Sequence, residues 1–470
     1  MRYISTRGEA PPLSFVEAML AGLARDGGLY VPDSCPVLAP ERIAGMAGMP
    51  YSELALEILR PFVGYSIPEA DLARMTSEAY GVFRHPAVAP LVQLGPRTFV
   101  LELFHGPTLA FKDLAMQLLA RLMDHVLRQR GERATVICAT SGDTGGAAVE
   151  AFRGCAHVDV VVLFPKGRIS DVQRKIMTSV PDANVHALAI KGTFDDCQAI
   201  VKGLFAHASF RDRVRLSAVN SINWARIVAQ VVYYFAAALA LGAPARKLAF
   251  TVPSGNFGDV FAGYVAARMG LSIDRLVVAT NVNDILVRTL RTGTYEVRDV
   301  IPTTSPSMDI QVSSNFERLL FEAYDRDAQA VRALMGSLAQ SRRFTITAGA
   351  LAAIRARFSA DRADEEETAA AIRSARREAG YLLDPHSAVA FAVAEKEGGD
   401  RGTPMVVLST AHPGKFPEAV ARAAGISPQL PVWLADLVDR PERMKVLPAD
   451  QSAVERFILG ASRAAQGAAA

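Results

Sequence analysis

The sequence predicts an α/β fold with two open, mainly parallel sheets flanked by helices, preceded by a helical N-terminal extension. Runs of consecutive apolar residues alternate with helical stretches, the pattern of parallel strands covered on both faces. The chain has 470 residues, half of them hydrophobic, which is too long for one compact domain. The number of strand–helix units is enough for two sheets.

The domain boundaries follow changes in this pattern. Helical apolar spacing at 14–24 and 51–59, with a Pro-rich connector between them, predicts the N-terminal helices. From about residue 98 the strand–loop–helix pattern begins. We expect a helical N-terminal domain at 1–97, a large domain built from 98–130 with 225–430, a small α/β domain at 131–224, and a helical C-terminal tail at 431–470.

The predicted strands are short apolar runs followed by loops or helices. In chain order they lie at 135–139, 158–165, 184–190, 248–252, 276–279 and 405–409. Thr193 follows the third run and can cap the next helix. The charged, Ala-rich segment 361–378 predicts a solvated surface helix.

Composition argues against several function classes. The net charge is +3 and no basic block is interleaved with aromatic residues, so we expect no nucleic-acid partner. The four cysteines have no Cys-x-x-Cys spacing and the histidines form no His-x-x-x-His pair, so we expect no metal and reduced thiols in the cytoplasm. The most apolar run, 227–241, is too short to cross a bilayer, and the N-terminus lacks a signal-peptide core.

Lys112 occupies the most informative position. It lies between a turn at 105–109 and the helical run 114–123. A cation is disfavoured at a helix N-terminus, and the same field lowers the pKa of the lysine and favours the neutral amine that makes Schiff bases. An ordinary solvated lysine is the alternative. Its neighbour Asp113 is expected to be a helix-start carboxylate.

Two glycine-rich loops follow predicted strands, where open α/β sheets bind ligands. Residues 254–258 can form a phosphate cradle from backbone amides at a helix N-terminus, without the spacing of a nucleotide-binding loop. Residues 140–146 can hold a substrate carboxylate through backbone amides and the hydroxyls of Ser141 and Thr144. A plain glycine turn is the alternative for 254–258, and a glycine-rich connection capped by Ser or Asp is the alternative for 140–146.

A third loop, after the strand 405–409, offers the neutral hydroxyl of Thr410. His412 nearby is more typical of a structural histidine than of a catalyst. Taken together, a reactive lysine, a phosphate cradle, a carboxylate loop and a strand-end hydroxyl suit pyridoxal phosphate. That cofactor requires an amine for its aldehyde, a phosphate anchor and a group facing its ring nitrogen.

Nine motifs, in the same order along the chain, resemble the threonine synthase family in its long bacterial and fungal form. They are Tyr3-Ile-Ser-Thr-Arg-Gly8, His105-Gly-Pro-Thr-Leu-Ala-Phe-Lys-Asp113, Thr140-Ser-Gly-Asp-Thr-Gly145, Phe164-Pro-Lys-Gly-Arg-Ile-Ser170, Asn220-Ser-Ile-Asn-Trp-Ala-Arg226, Pro253-Ser-Gly-Asn-Phe-Gly-Asp259, Ser313-Ser-Asn-Phe-Glu-Arg318, Asp384-Pro-His386 and Ser409-Thr-Ala-His412. One local difference is Gly146, where many relatives are expected to carry serine.

The resemblance implies the tryptophan-synthase-β type of fold (fold type II), with pyridoxal phosphate between the two α/β domains. Lys112 would hold the cofactor as a Schiff base and carry protons. The phosphate loop would contain Gly255, Asn256, Phe257 and Asp259, and Thr410 would face the pyridine nitrogen.

The implied reaction converts O-phospho-L-homoserine and water to L-threonine and phosphate, as a carbon–oxygen lyase acting on phosphates. For the substrate we expect Ser141, Asp143, Thr144, Asn220, Ser221 and Arg226. The last three are favoured over Asn223, Lys166 and Arg168 for the leaving phosphate, because a bidentate arginine suits phosphate best.

Two alternatives remain open. One is a phospho-lyase of the same family that gives 2-oxobutyrate. The other is a non-catalytic small-molecule binding protein. We expect no membrane partner, and either a monomer or a homodimer.

Overall fold

The computed structural model describes residues 1–397 and 402–467. Its strands are β1 (Tyr3–Ser5), β2 (Tyr30–Pro32), β3 (Leu91–Gln93), β4 (Thr98–Glu102), β5 (Ala134–Ala139), β6 (Val158–Pro165), β7 (Val185–Lys191), β8 (Leu216–Ala218), β9 (Leu248–Pro253), β10 (Ile273–Thr280), β11 (Thr294–Glu296), β12 (Arg343–Thr345), β13 (Phe358–Arg362), β14 (Met405–Ser409) and β15 (Lys445–Pro448).

The helices alternate with these strands. They are α1 (Phe15–Ala21), α2 (Pro40–Ala44), α3 (Tyr51–Val63), α4 (Glu69–Tyr80), α5 (Lys112–Arg130), α6 (Asp143–Phe152), α7 (Asp171–Thr178), α8 (Phe194–Ala206), α9 (Ala208–Arg213), α10 (Trp224–Ala240), α11 (Gly258–Arg268), α12 (Ile285–Thr292), α13 (Phe316–Ala323), α14 (Ala328–Ser341), α15 (Ala348–Arg355), α16 (Glu365–Ala379), α17 (Pro385–Lys396), α18 (Pro417–Ala424), α19 (Gln451–Ala461) and α20 (Arg463–Gly467).

The larger sheet has six strands in the order β13-β10-β9-β14-β4-β3. Every pair in it is parallel except β3 with β4 at one edge. Strand β9 is buried along its whole length, as expected for a strand covered on both faces. Because β4, β14 and β9 are parallel neighbours, the loops that follow them emerge at the same edge of the sheet.

The smaller sheet has five parallel strands in the order β15-β7-β6-β5-β8. Its edge strand β15 comes from the tail that we expected to be helical. That strand has only four residues, three of them exposed, and it ends in proline. An edge strand of this kind lacks the continuous apolar run by which a buried strand is recognised. Residues 468–470 of the expected tail lie outside the described residues.

The N-terminal helices pack onto the large domain. Helix α3 contacts α10, and α4 contacts α5. The rings of Tyr3 and Phe62 pack against Trp224 at centroid distances of 6.1 and 5.9 Å. The N-terminal extension therefore packs against α5 and α10, the helices that follow β4 and β8.

The predicted fold class, with two mainly parallel sheets, flanking helices and a helical N-terminal extension, is confirmed. All six predicted strands are present, and Thr193 caps α8 by accepting a hydrogen bond from the Asp196 N–H (3.2 Å). In the described part of the chain, no helix combines the length and apolarity needed to cross a membrane.

Candidate active site

Lys112 is the first residue of α5 and lies where the loop after β4 meets the loop after β14. The Phe111 N–H donates to the Thr410 carbonyl (2.9 Å), and Ala110 and Ala411 form an antiparallel bridge. The Lys112 side chain is only 11% exposed. The alternative of an ordinary solvated lysine is therefore wrong.

Asp113 shapes the loop that precedes α5. It is fully buried and accepts hydrogen bonds from the Thr108 N–H (2.7 Å) and the Thr108 hydroxyl (2.6 Å). Burial raises the pKa of Asp113 to about 6, although both hydrogen bonds oppose the rise. The carboxyl group at the start of α5 thus holds the turn that delivers Lys112.

Asp143 is the partner of Lys112. It is the first residue of α6, which follows β5 of the smaller sheet. One carboxylate oxygen lies 3.3 Å from the Lys112 Nζ and 3.2 Å from the Ser307 Oγ. The other oxygen accepts from the Lys415 Nζ (2.8 Å) and from the Gln173 Nε2 (3.0 Å). The predicted 140–146 loop is therefore brought to Lys112, although through its carboxylate.

The charges of this cluster shift one another. Burial lowers the pKa of Lys112, and the cations Lys415 and Arg226 lower it further, against the opposite effect of Asp143. Burial alone would raise the pKa of Asp143, but the two lysines outweigh it and hold that pKa well below its usual range. The surroundings thus weaken proton binding by Lys112 and favour an ionised Asp143.

The 254–258 loop has the properties of an anion cradle. Within the described part of the chain, the backbone N–H groups of Gly255, Asn256 and Phe257 donate no hydrogen bond. They precede the N-terminus of α11, whose dipole adds positive potential. A side chain at Gly255 would place its Cβ 2.8 Å from the Ser307 carbonyl oxygen, so only glycine fits this close approach.

Packing holds this loop in an unusual conformation. Phe257 has a φ of 62°, which is uncommon for a residue other than glycine. Its ring is buried between Phe316 and Phe358, at centroid distances of 5.4 and 5.6 Å. The Ser313 hydroxyl donates to the Gly255 carbonyl (2.6 Å), and Asn315 donates to the Asn256 carbonyl through its N–H and its Nδ2, both at 3.0 Å.

Asp259 is placed differently from the other loop residues. Its Oδ1 accepts from the hydroxyls of Tyr233 (2.5 Å) and Tyr234 (3.1 Å), whereas its Oδ2 is buried without a partner among the described residues. Burial raises the pKa of Asp259 to about 7. An ionised Asp259 carboxylate would repel a phosphate in the cradle. A phosphate there would therefore bind the backbone N–H of Asp259 or its protonated carboxyl group.

The second glycine-rich loop is organised by a residue that we did not predict. The Thr140 Oγ1 accepts from the N–H groups of Gly142 and Gly145, both at 2.9 Å. The hydroxyls of Ser141 and Thr144 are half-buried and make no hydrogen bond within the described residues. They remain available at the N-terminus of α6, where a carboxylate would be stabilised.

Arg226 is a buried cation without a carboxylate partner among the described residues. It is 2% exposed, its Nη1 donates to the Val219 carbonyl (3.0 Å), and its Nε has no partner within the part of the chain that the structure describes. Burial lowers the pKa of Arg226 to about 10, where it still carries its charge at neutral pH. An unpaired buried guanidinium needs an anion.

The segment before Arg226 adjoins the phosphate loop. The Ser221 carbonyl accepts from the Asn315 Nδ2 (3.2 Å), and a side chain at Gly258 would lie 3.7 Å from the Ser221 Cβ. Asn220 is half-buried beside it, and its side chain makes no hydrogen bond within the described range. Asn223 caps α10 instead, whereas Lys166 and Arg168 are exposed.

Thr410 is held by hydrogen bonds that connect it to the start of α17. Its N–H donates to the Ser387 Oγ (3.0 Å), and that hydroxyl also bonds to Asp384. The Thr410 hydroxyl makes no hydrogen bond among the described residues, and the residue is 6% exposed. His412 accepts from the Gly414 N–H (3.0 Å), and burial lowers its pKa to about 4. A structural, neutral histidine fits these contacts.

Three contributors were not recognised as site residues in the sequence. They are Lys415, Gln173 and Ser307, which all bond to Asp143. Lys415 lies three residues after His412, and its separation from a carboxylate 272 positions earlier hides the pair. The only available signal was position, since Lys415 continues a loop already assigned to the site.

Comparisons with known proteins agree along the whole chain. Three family profiles match consecutive regions: "Threonine synthase N terminus" at residues 2–80, "Pyridoxal-phosphate dependent enzyme" at 82–363 and "Threonine synthase, C-terminal" at 387–458. A threonine synthase of Pseudomonas aeruginosa is 52% identical over 97% of this chain and 98% of its own.

Solved structures give the same result. A pyridoxal-phosphate-bound threonine synthase from Brucella melitensis is 61% identical, with a TM-score of 0.96 over 98% of this chain and 100% of that chain. Yeast threonine synthase is 39% identical, with a TM-score of 0.93 over 98% of both chains. The chain therefore belongs to the threonine synthase family, and its central region belongs to the pyridoxal-phosphate-dependent enzymes.

Proposed function

We propose that this protein converts O-phospho-L-homoserine and water to L-threonine and phosphate, as a pyridoxal-phosphate-dependent carbon–oxygen lyase. The observation that carries the proposal is the charge of the buried site. Lys415 and Arg226 lie close enough to Lys112 to lower its pKa, and Asp143 is the only carboxylate paired with any of the three in the described residues. Such a site requires anionic ligands, and the cofactor and a phosphorylated amino acid both supply them.

The residues present fit the cofactor. Lys112 would bind its aldehyde, and the unbonded amides of Gly255, Asn256 and Phe257, with Asp259 at the start of α11, would hold its phosphate. The Thr410 hydroxyl would face its ring nitrogen, as a neutral group that does not enforce ring protonation. When bound, pyridoxal phosphate supplies an electron sink for a carbanion beside the substrate amino group.

The remaining groups suit the substrate. The amides and hydroxyls of Ser141 and Thr144 would bind its carboxylate, with Asp143 at the first turn of α6 beside them. Arg226, with Asn220 and Ser221, would bind the phosphate that leaves. A guanidinium can donate two parallel hydrogen bonds to phosphate, and those bonds strengthen as negative charge develops on the leaving group.

Lys112 would be the proton carrier. Its lowered pKa favours the neutral amine, which suits removal of the substrate α-proton and, once the nitrogen is protonated, later delivery of a proton to the γ-carbon. Burial of Lys112 excludes bulk water, which would otherwise compete for the same protons.

We also infer that the protein acts in the cytoplasm as a monomer or homodimer, without a nucleic-acid partner. All four cysteines are free, and burial raises the pKa of Cys138 and Cys197 to about 12, which suits a reducing compartment. Light scattering of the purified protein measures the oligomeric state directly.

The experiment is product identification with the purified holoenzyme. Incubation with O-phospho-L-homoserine should release phosphate and L-threonine in equal amounts, and Lys112→Ala should lose both products and the visible absorbance band of the lysine-bound cofactor. Lys396→Ala, which removes a lysine paired with Glu367 at the surface, is the matched control.

Each alternative has its own outcome. If phosphate is released together with 2-oxobutyrate, the activity is that of a phospho-lyase and not that of a synthase. If the wild-type protein shows no visible absorbance band and releases no phosphate, the result would support a non-catalytic small-molecule binding protein.

A further inference from the structure

Lys415 is a buried lysine to which the proposed reaction gives no role. It lies in the short turn Pro413–Lys415 after β14 and is 1% exposed. Its Nζ pairs with Asp143 at 2.8 Å, and no second carboxylate lies within ion-pairing distance of it in the described residues. A buried cation is costly unless it is paired, so this contact needs an explanation.

The geometry divides Asp143 between two lysines. One oxygen faces Lys415 and Gln173, and the other faces Lys112 and Ser307. The contact to Lys415 is the shorter, at 2.8 Å against 3.3 Å for Lys112. Lys415 therefore takes the larger share of the carboxylate charge, and Lys112 keeps a weakened counter-ion.

We propose that Lys415 is a positioning residue that holds Asp143 away from full pairing with Lys112 and thereby keeps the proton affinity of the Lys112 nitrogen low. The inference rests on the proposed function only for the identity of the cofactor that Lys112 binds. Without Lys415, Asp143 would be free to pair fully with Lys112 and a repelling cation would be lost. Both changes favour a protonated nitrogen.

Other charged or titratable groups surround this cluster. Those that influence Lys112, Asp143 or Lys415 are Arg226 on α10, Asp259 on α11, His386 on α17, Asp113 on α5 and His412 before the turn. None of these bonds directly to Asp143 in the described structure, whereas Lys415 does. Lys415 is therefore the group best placed to control this carboxylate.

The test is a pH titration of the visible absorbance band of the substrate-free holoenzyme, which reports protonation of the cofactor-linked Lys112 nitrogen. Lys415→Met should move the midpoint upward by about one pH unit, the smaller end of what a neighbouring charge does. Lys415→Arg keeps the cation and should move it much less. Lys396→Met, which breaks a surface lysine–carboxylate pair, should leave it unchanged.

A double-variant cycle shows whether Lys415 acts through Asp143. Asp143→Asn alone should lower the midpoint, and adding Lys415→Met in that background should shift it upward by less than in the wild type. The double variant removes both members of the Lys415–Asp143 pair together, so it serves as the folded reference if Lys415→Met unfolds, with thermal unfolding as the check.

An unchanged midpoint in Lys415→Met, or an equal upward shift in both backgrounds, overturns the proposal. A raised KM for O-phospho-L-homoserine with an unchanged titration would instead make Lys415 a direct substrate ligand. Because the titration needs no substrate, its result is independent of whether L-threonine is the product. A failure of this inference is thus distinct from a failure of the proposed function.

Discussion

Two buried arginines of this protein have opposite surroundings. Arg318 is fully buried, and its guanidinium donates to the carbonyls of Tyr30 (3.1 and 2.9 Å) and Ile222 (2.6 Å) and to the Asn315 side chain. Arg226 is 2% exposed and donates through its guanidinium to one carbonyl, with its Nε unpartnered in the described structure. Neither pairs with a carboxylate in the described residues.

The difference separates stability from function. Arg318 connects β2, the loop before α10 and the loop before α13, so its hydrogen bonds join three parts of the fold. Arg226 leaves donors unused at the site, which costs stability in the free protein and provides binding energy for an anion. The same side chain thus supports the fold in one place and, in the proposed function, binds an anion in the other.

The largest expected effect is on catalysis by Arg226→Met. The kcat/KM for O-phospho-L-homoserine should fall by about 10²- to 10³-fold, because a charge-assisted contact to the leaving phosphate is lost. The thermal midpoint should stay the same or rise, because an uncompensated buried charge is removed. Steady-state phosphate release and thermal unfolding of the same preparation measure the two quantities.

Arg318→Met should show the reverse pattern. The carbonyls of Tyr30 and Ile222 would lose their donors, so the thermal midpoint should fall by about 3 °C or more. Below that midpoint, kcat/KM should stay within a few-fold of wild type. If Arg318→Met were as stable as the wild type but inactive, the two arginines would not differ in the way proposed.

A smaller effect concerns the pH dependence of stability. Burial raises the pKa of Asp259 to about 7 in the folded protein, above its ordinary value of 3.8. The folded state therefore holds this proton more tightly than the unfolded state, and stability should decline as pH rises from about 4 to about 7. Asp259→Asn should flatten that part of a plot of thermal midpoint against pH, and an unchanged slope would contradict the shift.

The smallest effect is expected for Arg168→Met, which removes an exposed arginine from the loop after β6. Its kcat/KM should change by less than about two-fold and its thermal midpoint by less than about 1 °C, as for most surface substitutions. A loss of activity comparable to that of Arg226→Met would show that overall positive charge, and not the unpartnered guanidinium, binds the phosphate.

Much of the fold and part of the candidate site follow from local sequence. Strands such as β6 and β9 are mainly apolar runs, and the loops after β5 and β9 combine glycine with a following helix. Each of these features can be recognised from its own short stretch of sequence. Lys112 was identified because a lysine at a helix start is electrostatically unusual.

The rest depends on contacts between distant segments. Lys415 follows β14 of the larger sheet and Asp143 follows β5 of the smaller sheet, so the two meet only in the folded chain. Arg226 and Arg318 look alike in sequence, since each is the third residue of a helix that begins with an aromatic residue. Only the folded structure shows that one has all the acceptors it needs and the other does not. Strand β15 was missed because an exposed edge strand has no apolar signal.

The most direct measurement of this distinction is calorimetric titration of inorganic phosphate into the holoenzyme and its two arginine variants. If Arg226 binds an anion, Arg226→Met should raise the Kd for phosphate at least about ten-fold. That change is equivalent to a loss of about 1.4 kcal/mol of binding free energy. Arg318→Met should stay within about two-fold of wild type. Equal phosphate affinity in the wild type and in Arg226→Met would contradict the account.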